Sequence, residues 1–358
     1  MRYIFKTSYL QDIHLFKHRG HVFWYGLLLG LVLVAPLLFG DYYVGQLTQV
    51  GIYSIAGLGL MLLTGYTGQP SLGHAAFLGV GAYTEAVLLG YGWPFWLSFP
   101  MSGVLAAAVG LIVGPPALRL SGIYLTIGTL AFGFIVEEVL SRWESVTMGY
   151  KGYSVDDVEV FEVFLSEGMP FYYITMAVLV LVILFCLNLL RSPIGRAMVA
   201  VRDSEIAAQS MGVNLARTKI FAFFISAGIT GLAGALWAHK LGFLSPESFT
   251  IFQSIEFLVL VIVGGLGSIH GAIFGSVFIV ALPQAIAILK DHMPPAIAQQ
   301  PSLESGIFGL ILVLFVIFEP MGLYGRWLKL RFYFEMFPLY KKATFKRQKT
   351  FVKSERLR

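Results

Sequence analysis

Apolar residues along this chain gather into long blocks, at positions 21–40, 44–64, 73–91, 94–113, 117–137, 170–190, 219–239, 251–264, 270–289 and 303–319. At 1.5 Å of rise per residue, a helix of about twenty such residues crosses a hydrocarbon core of roughly 30 Å. The pattern predicts an all-α, polytopic membrane protein with about ten transmembrane helices. The blocks at 251–264 and 270–289 are short and flank Gly264-Gly265-Leu266-Gly267, so they also fit one broken hairpin, and the count runs from eight to ten. The first block is about twice the length of a signal-peptide core and is followed by no small-residue cleavage site, which predicts a retained helix.

Composition supports the bilayer as solvent. The 358 residues are 57% hydrophobic and 13% charged, about half the charged fraction of a soluble domain. Cys186 is the only cysteine and lies in a Leu/Val/Ile stretch, so a disulfide within the chain and a metal-thiolate cluster are excluded and a packing role is expected.

Charge then orients the blocks. Of the 25 Lys and Arg, 20 fall in three segments: the N-terminal tail with Arg2, Lys6, Lys17 and Arg19, the stretch from Arg191 to Lys219, and the tail from Arg326 onward. The positive-inside rule puts all three in the cytoplasm. The loop at 141–169 is acidic, with Glu144, Asp156, Asp157, Glu159, Glu162 and Glu167, as suits the opposite face. Six helices between the first two basic segments and four between the last two place both termini inside, so charge and helix count agree. The division is a basic N-tail at 1–20, a transmembrane domain at 21–325 and a basic C-tail at 326–358, which anchors the topology and can meet membrane lipid. No nucleic-acid partner is expected.

No G-x-x-x-x-G-K-[ST] loop, H-E-x-x-H or G-x-S-x-G is present, so the chain has no nucleotide cradle, zinc-protease helix or nucleophile elbow of its own. An engine would attach at the loop 191–219. There Asp203 or Ser204 can cap a short helix with Glu205 in its first turn, Ala207, Ala208 and Met211 make a small-residue face, and Gly212 stops it. Such a knob suits a groove on a partner, and it is too short and too weakly apolar to lie on lipid. Glu205, Ala207, Ala208 and Gly212, with Arg202 just before them, resemble the "EAA" coupling loop by which ABC importer permeases dock on their ATPase subunits.

A second feature is the run Leu63-Thr64-Gly65-Tyr66-Thr67-Gly68-Gln69-Pro70-Ser71-Leu72-Gly73-His74, whose glycines and proline break a helix between two apolar blocks. Irregular backbone at membrane depth is tolerated only against protein or a water-filled cavity. Thr67, Gln69, Ser71, Gly73 and His74 therefore become candidates for the translocation pathway, the alternative being a tight packing corner. His74, placed near the cytoplasmic end of its helix, fits a packed, hydrogen-bonded imidazole as well as a substrate ligand or proton carrier. Glu85 and Glu256 are the deepest carboxylates; Glu256 is expected to face inward, with a hydrogen bond to a neighbouring helix as its leading role. Gly26/Gly30, Gly110/Gly114, Gly228/Gly231/Gly234 and Gly271/Gly275 offer small faces for close helix approach.

Together with Leu118-Arg119-Leu120-Ser121-Gly122-Ile123-Tyr124, Gly231-Leu232-Ala233-Gly234 and Ser254-Ile255-Glu256 followed by Gly264-Gly265-Leu266-Gly267-Ser268, these motifs resemble the permeases of branched-chain amino acid ABC transporters, the LivM type, over about residues 44 to 325. Pro70 stands where that family carries a branched apolar residue, and Thr147-Met148-Gly149 replaces its Thr-Gly-Gly. The resemblance implies a bacterial inner-membrane importer subunit, not itself an enzyme, paired with a homologous second permease, two ABC ATPase subunits and a periplasmic binding protein. It implies no cofactor on this chain, ATP and Mg belonging to the ATPases. Leucine, isoleucine and valine are the implied solutes, with urea, amides and aromatic or acyl acids as relatives' alternatives. An ion-coupled secondary transporter using Glu85, Glu256 or His74 is the competing class.

Overall fold

The computed structural model describes residues 19–156, 159–160, 163–164, 168–291, 303–319 and 321–336. Most of the basic N-tail, the C-tail beyond residue 336, and Asp157, Glu162 and Glu167 of the acidic loop lie outside them. Helices dominate: α1 (Arg19–Leu38), α2 (Asp41–Leu60), α3 (His74–Gly90), α4 (Phe95–Ala117), α5 (Ile123–Arg142), α6 (Gly168–Arg191), α7 (Pro193–Asp203), α8 (Glu205–Ser210), α9 (Leu215–Leu241), α10 (Ile251–Gly264), α11 (Ile269–Asp291), α12 (Leu303–Phe318) and α13 (Gly322–Met336).

Every apolar block overlaps a helix, and the chain is an all-α polytopic membrane protein. Among the described residues seven helical segments are long and apolar enough to span a bilayer, or eight when the bent pair Gly306–Phe318 and Gly322–Phe334 is taken as one span. α1 and α3 are not among these segments, so the structure supports seven or eight spans where the sequence pattern suggests about ten. The fifth block is displaced: α4 runs on through Pro115 and Pro116 to Ala117, and α5 starts only at Ile123. The cause is Gly122 at φ +55°, which turns the chain after Leu118 and Leu120, two apolar residues that the block had absorbed. Within the segment from residue 326, α13 carries helix to Met336.

α2 and α9 form the centre. In the most apolar window of each, 78% and 61% of residues are buried, against 22% for α5 and α6. Small residues let them approach. A Cβ at Gly81 would lie 2.1 Å from the Gly231 carbonyl oxygen, and one at Gly234 would lie 2.1 Å from that of Leu78, so α3 and α9 touch backbone to backbone. Gly110 and Gly114 meet Phe223, Ala227 and Ile220 of α9 in the same way. Gly26 and Gly30 do not follow: nothing stands within 4 Å of a Cβ at either, and the α1 face around them is exposed apolar surface of the kind lipid covers.

α10 and α11 are two helices folded into an antiparallel hairpin broken at Gly264–Gly267. A Cβ at Gly264 would fall 1.9 Å from the Gly271 carbonyl oxygen, and one at Gly275 would fall 2.0 Å from that of Leu260. At one end of the bundle Tyr153–Ser154 (β1) pairs antiparallel with Phe243–Leu244 (β4), while Glu159–Val160 (β2) and Val163–Phe164 (β3) form a second small ribbon. The opposite end gathers Gly65, Arg202, Gly267 and Met321.

Candidate functional site

The site begins where α2 loosens. From Met61 to Tyr66 the helix widens into a π-turn, a form that is rare and concentrated at functional positions. The Gln69 N–H reaches back to the Leu63 carbonyl (3.0 Å), Thr64 Oγ1 donates to the Gln69 carbonyl (3.2 Å) and Thr67 Oγ1 to that of Leu62 (2.9 Å). These bonds satisfy backbone groups that the break frees inside an apolar medium. Gly68 turns the chain at φ +71°.

The chain then climbs back into the bundle instead of leaving it. The Leu72 N–H bonds Thr129 Oγ1 of α5 at 3.0 Å, and a Cβ at Gly73 would come within 2.0 Å of the Thr129 carbonyl oxygen, so only glycine fits. His74 opens α3 fully buried, its Nε2 2.6 Å from Thr230 Oγ1, and the next N–H, of Ala75, bonds Ser254 Oγ of α10 at 3.0 Å. Thr230 lies three turns from the end of α9. His74 thus stands at the start of its helix, as expected from sequence, and is fully buried against α9.

Thr230 Oγ1 stands 2.6 Å from His74 Nε2 and 2.9 Å from the Ser226 carbonyl oxygen, so its one proton goes to one of the two and the imidazole tautomer follows from that choice. Among the described residues no hydrogen-bond partner reaches His74 Nδ1, either side-chain amide atom of Gln69, or Ser71 Oγ. All three side chains are buried, at 3% exposure or less. A donor or acceptor left unmade in such surroundings costs about 1–3 kcal/mol. The arrangement leaves one imidazole nitrogen, one hydroxyl and one amide free to bond a small polar solute or water.

Glu256 is not part of this group. It is half-buried and takes hydrogen bonds from Gln253 Nε2 (3.2 Å) and the Tyr53 hydroxyl (3.5 Å). The bond to Tyr53 of α2 is the neighbouring-helix contact expected of it. Glu85 makes a separate buried cluster: Ser98 Oγ donates to Oε1 at 2.9 Å, His239 Nε2 stands 3.3 Å from the same oxygen, and Oε2 is unpartnered. His239, Thr230 and Ser226 were not singled out from sequence, and Ser254 entered only as a motif position without a role. The available signal was the presence of Ser, Thr and His in apolar blocks, where cross-helix hydrogen bonds are the usual outcome.

The loop 191–219 is mostly helical. Ser192 caps α7, accepting from the Gly195 N–H at 3.3 Å, and Pro193 fills the first helical position. Ser204, not Asp203, caps α8 through the Ala207 N–H at 3.2 Å, and Gly212 closes it at φ +85°. The predicted small-residue face splits. Ala208 is buried at 4%, whereas Ala207 and Met211 face out, so the exposed knob is apolar through Ile206 (81%) and Met211 (85%). Glu205 pairs with Lys219 of α9 at 2.7 Å and fixes the knob against the bundle.

Residues 42–316 match the family profile described as branched-chain amino acid transport system / permease component. The chain is 36% identical over 321 residues to the high-affinity branched-chain amino acid transport system permease protein LivM of Escherichia coli (strain K12), covering 83% of this chain and 73% of that one. It is 26% identical to a probable branched-chain amino acid transport permease protein LivM of Methanocaldococcus jannaschii, over 76% of this chain and 90% of the relative. The autoinducer 2 import system permease protein LsrC of Salmonella paratyphi B is also 26% identical, over 72% of this chain and 76% of its own. No solved structure matches the chain. On the length and identity of these matches, the chain belongs to the family of branched-chain amino acid transport permease components.

Proposed function

We propose that this chain is the permease subunit of a bacterial ABC importer for branched-chain amino acids, crossing the inner membrane ten times with both termini in the cytoplasm. The observation that carries the reading is the cluster of buried, unpartnered polar atoms on Gln69, Ser71 and His74 at a helix break inside a permease-family bundle. Polar groups left unmade among packed helices suit a path that a solute completes in passing. The exposed Ile206 and Met211 on a capped, anchored knob suit a docking groove on an ATPase. In this reading the partners are a second homologous permease, two ATPase subunits that handle ATP and magnesium, and a periplasmic binding protein that delivers the solute; the chain itself binds no cofactor. Leucine, isoleucine and valine are the proposed solutes, as the names of the LivM relatives suggest.

The test is reconstitution into proteoliposomes with the companion permease and ATPases and the solute-loaded binding protein. The expected result is leucine uptake that needs ATP and all subunits. Uptake by this chain alone, driven by a proton or sodium gradient, would overturn the reading in favour of an ion-coupled carrier working through Glu85 and His239.

A further inference from the structure

One side chain joins the docking knob to the helix break. Arg202 lies in the last turn of α7, and its Nη1 donates to the Gly65 carbonyl in the π-turn at 3.1 Å. Its Nε and Nη2 hold the Asp203 carboxylate at 3.0 and 2.9 Å, at the junction with α8. The stem packs on the turn residue of the break, since a Cβ at Gly68 would lie 3.0 Å from Cγ and 3.3 Å from Cα of Arg202. The same guanidinium borders the second irregular segment. A Cβ at Gly267 would lie 3.1 Å from Nη1 and 3.4 Å from the Gly65 carbonyl oxygen, and one at Gly65 would lie 2.7 Å from the Gly267 nitrogen. The Gly267 N–H in turn points at Met61 Sδ at 3.2 Å, at the start of the π-turn.

Two pieces of chain that are not regular α-helix thus meet at one cation in the last turn of α7. A guanidinium presents its N–H donors in a rigid planar fork, so it can hold a carboxylate on one side and a carbonyl on the other without slack. The carbonyls at a helix C-terminus carry partial negative charge and lack helical partners, which makes Gly65 a good acceptor. Rotation of α7 and α8 as a unit would therefore pull on Gly65, and through the short stretch to residue 74 on Gln69, Ser71 and His74.

We propose that Arg202 is a positioning residue that transmits movement of the α7–α8 knob to the π-turn and so to the polar groups of the translocation path. The proposal rests on the reading of that knob as an ATPase dock, which fails separately and first if the unsubstituted chain does not co-purify with the ATPases or shows no ATP-dependent leucine uptake. The decisive variant is Arg202→Met, which keeps the stem against Gly68 and removes only the donors. Leucine imported per ATP hydrolysed is the readout, because a merely structural role would lower both quantities together. The expected result is an assembled complex that hydrolyses ATP within about twofold of the unsubstituted one while the ratio falls about tenfold, and partial recovery of the ratio in Arg202→Lys. A second measurement needs no solute: with Cys186→Ala and Ser71→Cys, maleimide reactivity at position 71 should change on ATP trapping, and Arg202→Met should abolish that change. An unaltered ratio, an unaltered reactivity change, or loss of assembly in Arg202→Met would each overturn the proposal.

Discussion

Replacing Gln69 by Leu separates function from stability at a single position. The side chain is 3% exposed and neither amide atom has a partner, so an apolar residue of similar volume removes an unmade-bond penalty of about 1–3 kcal/mol. The expected outcome is a higher thermal midpoint in detergent with leucine uptake reduced about tenfold; a lower midpoint would mean that Gln69 is a packing residue. Gly73→Ala tests the opposite property. Its methyl would collide with the Thr129 backbone oxygen, which cannot swing aside, and overpacking of this kind costs about 1–3 kcal/mol. Its midpoint should fall clearly, while that of Gly26→Ala, with nothing within 4 Å, should stay put. Sequence alone marked Gln69, Ser71 and His74 as polar residues beside a break, because Gly and Pro punctuate helices by their backbone properties. It did not reveal their burial, since the climb from Thr67 to Gly73 follows no period, nor the pairing of Glu85 with His239, which lie 154 residues apart.

Among the elements, α8 was legible because capping is local chemistry: a Ser, an acidic first turn and a closing Gly declare a short helix wherever it sits. Which face it shows was not legible, because α9 decides that by burying Ala208 and binding Glu205 through Lys219. The exposed pair then makes a prediction specific to this helix. Ile206→Asp with Met211→Asp should leave the fold and the thermal midpoint unchanged, since both side chains are more than four-fifths exposed. The same variant should lose co-purification with the ATPase subunits, because an apolar anchor is replaced by charge at the centre of a dock. Retained co-purification with full uptake would remove α8 from the docking role. The helical hairpin of α10 and α11 was half legible. Gly264, Gly265 and Gly267 announced the break, but only the close contacts of Gly264 with Gly271 and of Gly275 with Leu260 show that the two arms run antiparallel.

Over the whole molecule, tertiary contacts sort the loops into two sets without reference to charge. Gly65, Arg202, Gly267 and Met321 converge at one end, and β1 with β4 lies at the other. The basic stretch around Arg202 falls in the first set and the acidic loop beside β1 in the second, so packing and charge asymmetry divide the chain alike. That agreement makes orientation testable on the intact cell. In a Cys186→Ala background, cysteine at Tyr150, which is 69% exposed near β1, should react with a membrane-impermeant maleimide added outside. Cysteine at Met211, 85% exposed on the knob, should react only after the membrane is opened. The reverse pattern would place the knob outside, beyond reach of any ATP-hydrolysing partner, and would dismantle the importer mechanism whatever the fate of the polar cluster. Labelling of both from outside would break the helix count instead, because an even number of crossings between Tyr150 and Met211 would put them on the same face. With α6 the one long apolar helix between the two positions among the described residues, a single crossing is expected, and opposite reactivities are its direct consequence.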